Sequence, residues 1–259
     1  MKTISLLIVG GALLGCATGV LAQTSPTTAA QSRGGSAGAP SAPASVQVET
    51  KVSESGPTLL FEEKWTRAPM AQPMLQANLG NQHLILHAYG DTNGIRKTYH
   101  PTEDYTYTGE TKSNWALTVS DPKNLWDLTG NAKIMVRTRN SGYRFTHVVI
   151  KTADGRYYAS EEGSGESSEW MNVDYVFSTL HWRSLLMVDR PTNASNRRQP
   201  DPNLVPIIPQ GKATPELSRV EEVGFSDLMP GGWIPATTRV NSFALYGKNV
   251  PIAAKSAAP

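Results

Sequence analysis

KIMVRTRNSGYRFTHVVIK, Lys133–Lys151, is the stretch whose reading decides the fold. Apolar and polar residues alternate on both sides of Asn140-Ser141-Gly142, and a period of two marks a half-buried strand. Ala132, Ile134, Val136 and Thr138 share one face of the first segment, with Lys133, Met135, Arg137 and Arg139 on the other. In the second segment Val148 and Ile150 are the expected core pair, and His147, Val149 and Lys151 lie opposite. Read as a hairpin, the stretch crowds Lys133, Arg137, Arg139, His147 and Lys151 onto one face. Like charges paired across strands destabilise a sheet unless something compensates them. Two compensations are open: Glu221 or Glu222 on a neighbouring strand, or an anionic ligand such as a uronate or sulfated sugar, which guanidinium groups bind bidentately.

Similar segments fill the chain on either side. Residues 58–65, 82–89, 114–120, 156–160, 169–178, 181–187, 219–226 and 240–247 are short, rich in β-branched and aromatic residues, and bounded by turn clusters. Asp154-Gly155 is a strong two-residue hairpin turn. No segment sustains a 3.6-residue period. The expected fold is all-β: a two-sheet antiparallel β-sandwich, or jelly roll, with one long Pro-rich loop at 189–218. Strand signals run over 57–250, giving one domain followed by a flexible tail, 251–259.

The N-terminus reads differently. Lys2, an apolar run from Ile4 to Leu14 and a series of small residues compose a secretory signal over 1–22. Val20-Leu21-Ala22 before Gln23 suits ordinary release. Leu13-Leu14-Gly15 before Cys16 resembles a bacterial lipobox, which would leave Cys16 lipidated. Residues 23–56 are Ser, Thr, Ala, Gly and Pro with few large apolar side chains, a composition that reads as a disordered tether. The expected location is exported, periplasmic or extracellular, or else the outer membrane as a lipoprotein. Any membrane attachment would run through that lipid.

With a single cysteine the chain can form no internal disulfide and no thiolate metal cluster. A net charge of +2 supplies no concentrated basic stripe, so nucleic acid is not an expected partner.

The ending LSRVEEVGFSDLMPGGW…VNSFALYGK, Leu217 to Lys248, resembles the close of β-jelly-roll sugar-binding domains, and NLWDLTGNAKIMVRTRNSG, Asn124 to Gly142, adds to it. The span 58–248 is similar to secreted bacterial glycan-active domains, loosely of the galactose-binding-like, 3-keto-disaccharide hydrolase-type and laminarinase-type groups. The resemblance implies a fold and a glycan neighbourhood. It carries over no catalytic residue, because neither the Glu-x-Asp-x-(x)-Glu strand of laminarinases nor the Gln-Ile-His strand of jelly-roll alginate lyases is present.

Three clusters are candidate sites. The basic hairpin is the first. The second is Lys97 to Glu110, read as a loop, where His100, Glu103, Asp104, Tyr105 and Tyr107 combine rings for stacking on sugars with groups able to move a proton. An ordinary turn explains the same residues. The third is His181 and Arg183, which share parity, followed by Asn193, Asn196, Arg197 and Arg198 in the long loop. Glu161, Glu162, Glu166 and Glu169 make Ca²⁺ a candidate ion, against a solvated acidic hairpin. His83 and His87 share a face without a third ligand, so no metal is expected there. Trp65, Trp115, Trp126 and Trp182 are expected in the core.

The expected function is glycan binding, with an acidic polysaccharide as ligand. One alternative is a polysaccharide-cleaving enzyme of the same fold. A hydrolase needs two carboxylates about 5 to 9.5 Å apart, with Glu103, Asp104, Glu161 and Glu162 as candidates. A lyase would use Arg137, Arg139, His147 and Tyr143. The other alternative is a non-catalytic structural envelope protein.

Overall fold

The computed structural model describes residues 56–66, 70–100, 103–108, 111, 114–187, 207–228 and 236–252, all within the compact unit Val52–Pro259. The signal, most of the tether and the loop residues Asn193, Asn196, Arg197 and Arg198 lie outside them. Among the described residues there is no α-helix. The strands are β1 (Thr58–Lys64), β2 (Ile85–Gly90), β3 (Ile95–His100), β4 (Glu103–Thr108), β5 (Trp115–Ser120), β6 (Asn124–Asp127) and β7 (Lys133–Asn140). They continue with β8 (Thr146–Thr152), β9 (Tyr157–Ser164), β10 (Met171–Val176), β11 (Trp182–Met187), β12 (Ile207–Ala213), β13 (Val220–Ser226) and β14 (Thr238–Pro251).

Every pairing between these strands is antiparallel, and they form two layers. In the first sheet β10, β7 and β14 lie side by side; β1 and β4 share the far edge of β14, and β3 lies outside β4. The second runs β2, β5, β13, β8, β9, β11, β12, with β6 joined to β13 at Val220. β14 belongs to both: Thr238 to Gly247 pair within the first sheet, and Lys248 to Pro251 pair with β6 in the second.

The core is what strand parity demands. Phe225 on β13 meets Phe243 on β14 edge-to-face at 5.8 Å, and Trp65 packs against both at 6.4 and 5.8 Å. These rings lock the layers face to face. Trp65, Trp115, Trp126 and Trp182 are all buried, as expected.

The decisive stretch takes a different form from the one expected. β7 and β8 are not a hairpin: β7 pairs with β10 and β14, β8 with β13 and β9. Ile134, Val136, Val148 and Ile150 all enter the core, but from opposite sheets. Parity is satisfied equally by two strands side by side and by two strands facing each other, so alternation alone could not separate these arrangements. The connection is fixed by its own bonds. Asn140 Nδ2 donates to Thr146 Oγ1 and the Ser164 carbonyl, and Arg144 forms a buried 2.8 Å pair with Asp227. At Gly142 φ is +64°, and a Cβ would lie 2.7 Å from Ala236 Cβ. By contrast β8 and β9 do form the expected hairpin over Asp154-Gly155, with Gly155 at φ +85°.

Two further segments depart from expectation. Lys97 to Glu110 is largely the β3–β4 hairpin rather than a loop. Within 189–218, Ile207–Ala213 is a strand, β12, paired to β11. It tolerates Pro209 because, among the described strands, its other edge is unpaired and a missing N–H costs no ladder bond.

The second sheet also curls. A small outer cluster, Ala116, Val149, Ala159, Leu185 and Ile207, packs on the face away from the main core. Asn114 Nδ2 donates to the Ile207 carbonyl at 2.8 Å, although four strands separate β5 from β12 in sheet order.

Candidate functional site

Since β7 and β8 lie in different sheets, the expected five-cation face does not exist. Lys133, Arg137 and Arg139 face outward from the first sheet, and His147 and Lys151 from the second.

The first sheet builds a cationic surface from other strands. Arg96 on β3 stands opposite Tyr107 on β4, Tyr107 opposite Arg239 on β14, and Arg239 opposite Arg139 on β7. Directly paired residues project from the same side, and Ile95, Thr106, Val240 and Thr138 beside them are buried, so the whole row faces out. The Arg96 and Arg239 guanidinium carbons lie 4.6 and 5.5 Å from the Tyr107 ring centroid. Among the described residues none of the three arginines has a carboxylate partner.

Beside the row, Arg137 Nη2 donates to Glu103 Oε1 at 2.8 Å, and its guanidinium lies 5.6 Å from the Trp170 ring. Trp170 and Tyr105 are 5.7 Å apart, a pair of half-buried rings on the same surface. Farther along β7, Lys133 pairs with Asp174 at 2.7 Å and approaches the Tyr246 ring at 5.4 Å. Four aromatic rings and five cations therefore share this surface. His100 sits in β3 opposite Glu103.

The outer face of the second sheet is organised around a carboxylate. Glu222 is fully buried and accepts from Tyr89 at 3.0 Å, Thr118 at 2.5 Å and Lys151 at 3.1 Å. Glu221 also pairs with Lys151, at 3.1 Å. Of the two compensations the sequence left open, the glutamates supply one, but to Lys151 and not to the arginines. Tyr157 donates to Tyr89, and the Tyr89 hydroxyl is pushed well above the ordinary phenol range by burial first, then by Tyr157 and Glu222. Burial lowers the Lys151 ammonium, but the opposing charge and hydrogen bond of Glu222 outweigh it and raise its pKa.

No family model and no curated protein matches the chain. Among solved structures it is similar to the family 11 carbohydrate-binding module from Clostridium thermocellum in complex with a β-1,3-1,4-mixed-linked tetrasaccharide. The two are 14% identical, with 72% of this chain and 96% of that one covered and a TM-score of 0.38. A family 29 carbohydrate-binding module complexed with mannohexaose is 7% identical over 72% of this chain and 91% of its own, with a TM-score of 0.39. An agarase, AgWH50C, is 10% identical over 69% of this chain at a TM-score of 0.39, and the chain spans 24% of that enzyme's length.

The candidate catalytic groups do not converge. Glu103 holds Arg137, while Asp104, on the opposite side of β4, holds the buried Lys97 at 2.7 Å. Glu161 pairs with Arg183 and Glu162 with His181, both on the other sheet. Burial pulls Glu162 upward, but hydrogen bonds from the His181 side chain and backbone hold it below the usual carboxylate range, the wrong direction for a general acid. Of the lyase set, Arg137 and Arg139 lie on the first sheet, His147 on the second, and Tyr143 stands 78% exposed on the connection between them. Among the described residues no three metal-ligating side chains gather.

Arg96, Arg239 and Trp170 escaped the sequence reading, which had Tyr107 only as a loop residue. The available signal was the parity of 95–108: Ile95 inward, Arg96 outward, Tyr105 and Tyr107 outward. Buried Lys97 and its partly buried partner Asp104, an ion pair at inward positions, broke the apolar alternation that would have revealed the strands.

Proposed function

We propose that this is an exported binding module whose ligand is an acidic polysaccharide, held on the outer face of the first sheet across β3, β4, β14 and β7. The observation that carries the reading is the row Arg96, Tyr107, Arg239, Arg139. Arg239 and Arg139 are directly paired like charges, an arrangement that weakens a sheet. With no carboxylate among the described residues to offset it, a ligand anion is the natural counter-charge. Three strand spacings of about 4.8 Å place the outer arginines roughly 14 Å apart, a span suited to an extended polymer bearing repeated charges. Stacking on Tyr107 limits the freedom of two guanidinium groups, which lowers the entropic cost of ordering them on binding. Trp170 and Tyr105 supply rings for the apolar face of a sugar.

A cleaving enzyme is less well supported, since each candidate carboxylate is engaged by its own cation. Export rests on the apolar run Ile4 to Leu14 and the small residues after it, and mass measurement of the mature N-terminus would distinguish release at Ala22 from lipidation of Cys16.

The test is a glycan array on the folded protein, followed by calorimetry and product analysis, with polyuronates, sulfated polysaccharides, neutral glucans and duplex DNA as probes. Acidic glycans should bind without turnover, weaken with salt, and lose binding in the Arg139→Ala plus Arg239→Ala variant. Equal binding of neutral glucans, a preference for DNA, or unchanged binding by the double variant would sink the reading.

A further inference from the structure

The curl of the second sheet creates a second concavity, on a different face from the arginine row. β12 folds back toward β5, and the hydrogen bond from Asn114 to Ile207 holds it there. The bond and the outer cluster of Ala116, Val149, Ala159, Leu185 and Ile207 together hold the two ends of the sheet toward each other on its outer face. On the same outer face lies an open depression of about 410 Å³, lined by residues of β8, β9, β11 and β12 and by Leu228.

Its walls combine two kinds of surface. Pro209 and Leu228 are apolar; His147, Glu161, Arg183 and Lys212 are polar. Glu161 receives Arg183 at 2.8 Å and Lys212 at 3.9 Å, so one carboxylate serves two cations and the wall keeps an excess of one positive charge. His147 is tied to the Ser160 carbonyl through Nδ1 at 3.0 Å. Burial chiefly lowers its pKa, so near neutral pH the imidazole adds a hydrogen-bonding group and no further charge.

We propose that this cavity binds one small organic monoanion, a carboxylate carried on a compact ring. The carboxylate would share Arg183 and Lys212 with Glu161, and the ring would rest on Leu228 and Pro209. A free carboxylic acid and the terminal uronate of a glycan chain have this chemistry in common. The proposal does not depend on the polysaccharide reading, because its residues lie in β8, β9, β11, β12 and just after β13, none of which contributes to the arginine row.

The experiment is an NMR titration of the full chain with sodium D-glucuronate, its neutral methyl ester and a uronate trisaccharide. Saturable shifts should appear at His147, Leu228 and Lys212 with glucuronate and be about tenfold weaker with the ester. Arg183→Gln should weaken binding by about tenfold. Glu161→Gln removes the competing anion and should tighten it, a gain that a merely structural residue would not give. Arg139→Ala plus Arg239→Ala should leave these shifts intact. Tighter binding of the trisaccharide than of the monosaccharide would support the proposal with a chain end as the source; equal binding would support it with the free acid. The proposal is overturned if the ester binds as well as the acid, if Glu161→Gln fails to tighten binding, or if glucuronate shifts only residues of the first sheet.

Discussion

Arg139 on β7 and Arg239 on β14 face each other as a direct register pair, and Arg239 in turn leans on the Tyr107 ring at 5.5 Å. Two guanidinium groups in adjacent strands, without a carboxylate among the described residues, place a repulsive contact on an otherwise well-satisfied sheet. Without ligand, Arg139→Thr should therefore stabilise the domain by about 0.2–1 kcal/mol. The gain should shrink as salt screens the repulsion. Urea unfolding at low and high salt checks both points, and a destabilised variant would show that the pair is compensated.

If the proposed site holds ligand, Trp170→Ala should weaken binding and spare the core, because the ring lies on the outer surface against Tyr105 and Arg137. Affinity for an acidic glycan should fall by about 0.5–1.5 kcal/mol, roughly two- to twelvefold. Calorimetry on the variant measures it, with the melting temperature as a control for folding.

Glu222→Gln should be costly. The carboxylate is fully buried and serves Tyr89, Thr118 and Lys151 together, so the loss should be about 2–3 kcal/mol. Its neighbour gives the contrast: Glu221 is half-exposed and Lys151 would keep Glu222, so Glu221→Gln should cost under about 0.5 kcal/mol. Equal effects in denaturant titrations would refute the central role given to Glu222.

Alkaline stability carries a signature of Tyr175. Its hydroxyl donates to the Thr146 carbonyl inside the core, and burial pushes its pKa from 10.0 up to about 12. The unfolded chain ionises first, so stability is intact below pH 10 and is lost as pH rises from about 10 to about 12. Tyr175→Phe should lower stability at neutral pH by about 1 kcal/mol and flatten this alkaline decline. Stability measured against pH for both proteins decides it, and an unchanged slope would exclude Tyr175 as a contributor.

What sequence reveals here follows from the range of each signal. Parity is local, and it placed Ile134, Val136, Val148 and Ile150 in the core. Pairing is not local: nothing in Lys133–Lys151 says that β7 will meet Thr238 to Tyr246 while β8 meets Val220 to Ser226. The row of arginines joins positions 96, 107, 239 and 139 through three separate registers, so it could not emerge from any one segment. Reading the last strand from Val240 also stopped one residue short of Arg239. β12 was hidden for a simpler reason, since Pro209 argues against a strand everywhere except at an edge.

The double membership of β14 sets a timetable for the molecule. This strand supplies the contact that β1, β4 and β7 all need, yet it follows every other described strand in chain order. A chain still lacking Thr238 to Pro251 has an incomplete first sheet and no arginine row, however long its earlier segments have had to collapse. Whatever follows them in the chain, Thr238 to Pro251 are thus the residues on which closure of the first sheet waits, because β1, β4 and β7 have their common partner only there.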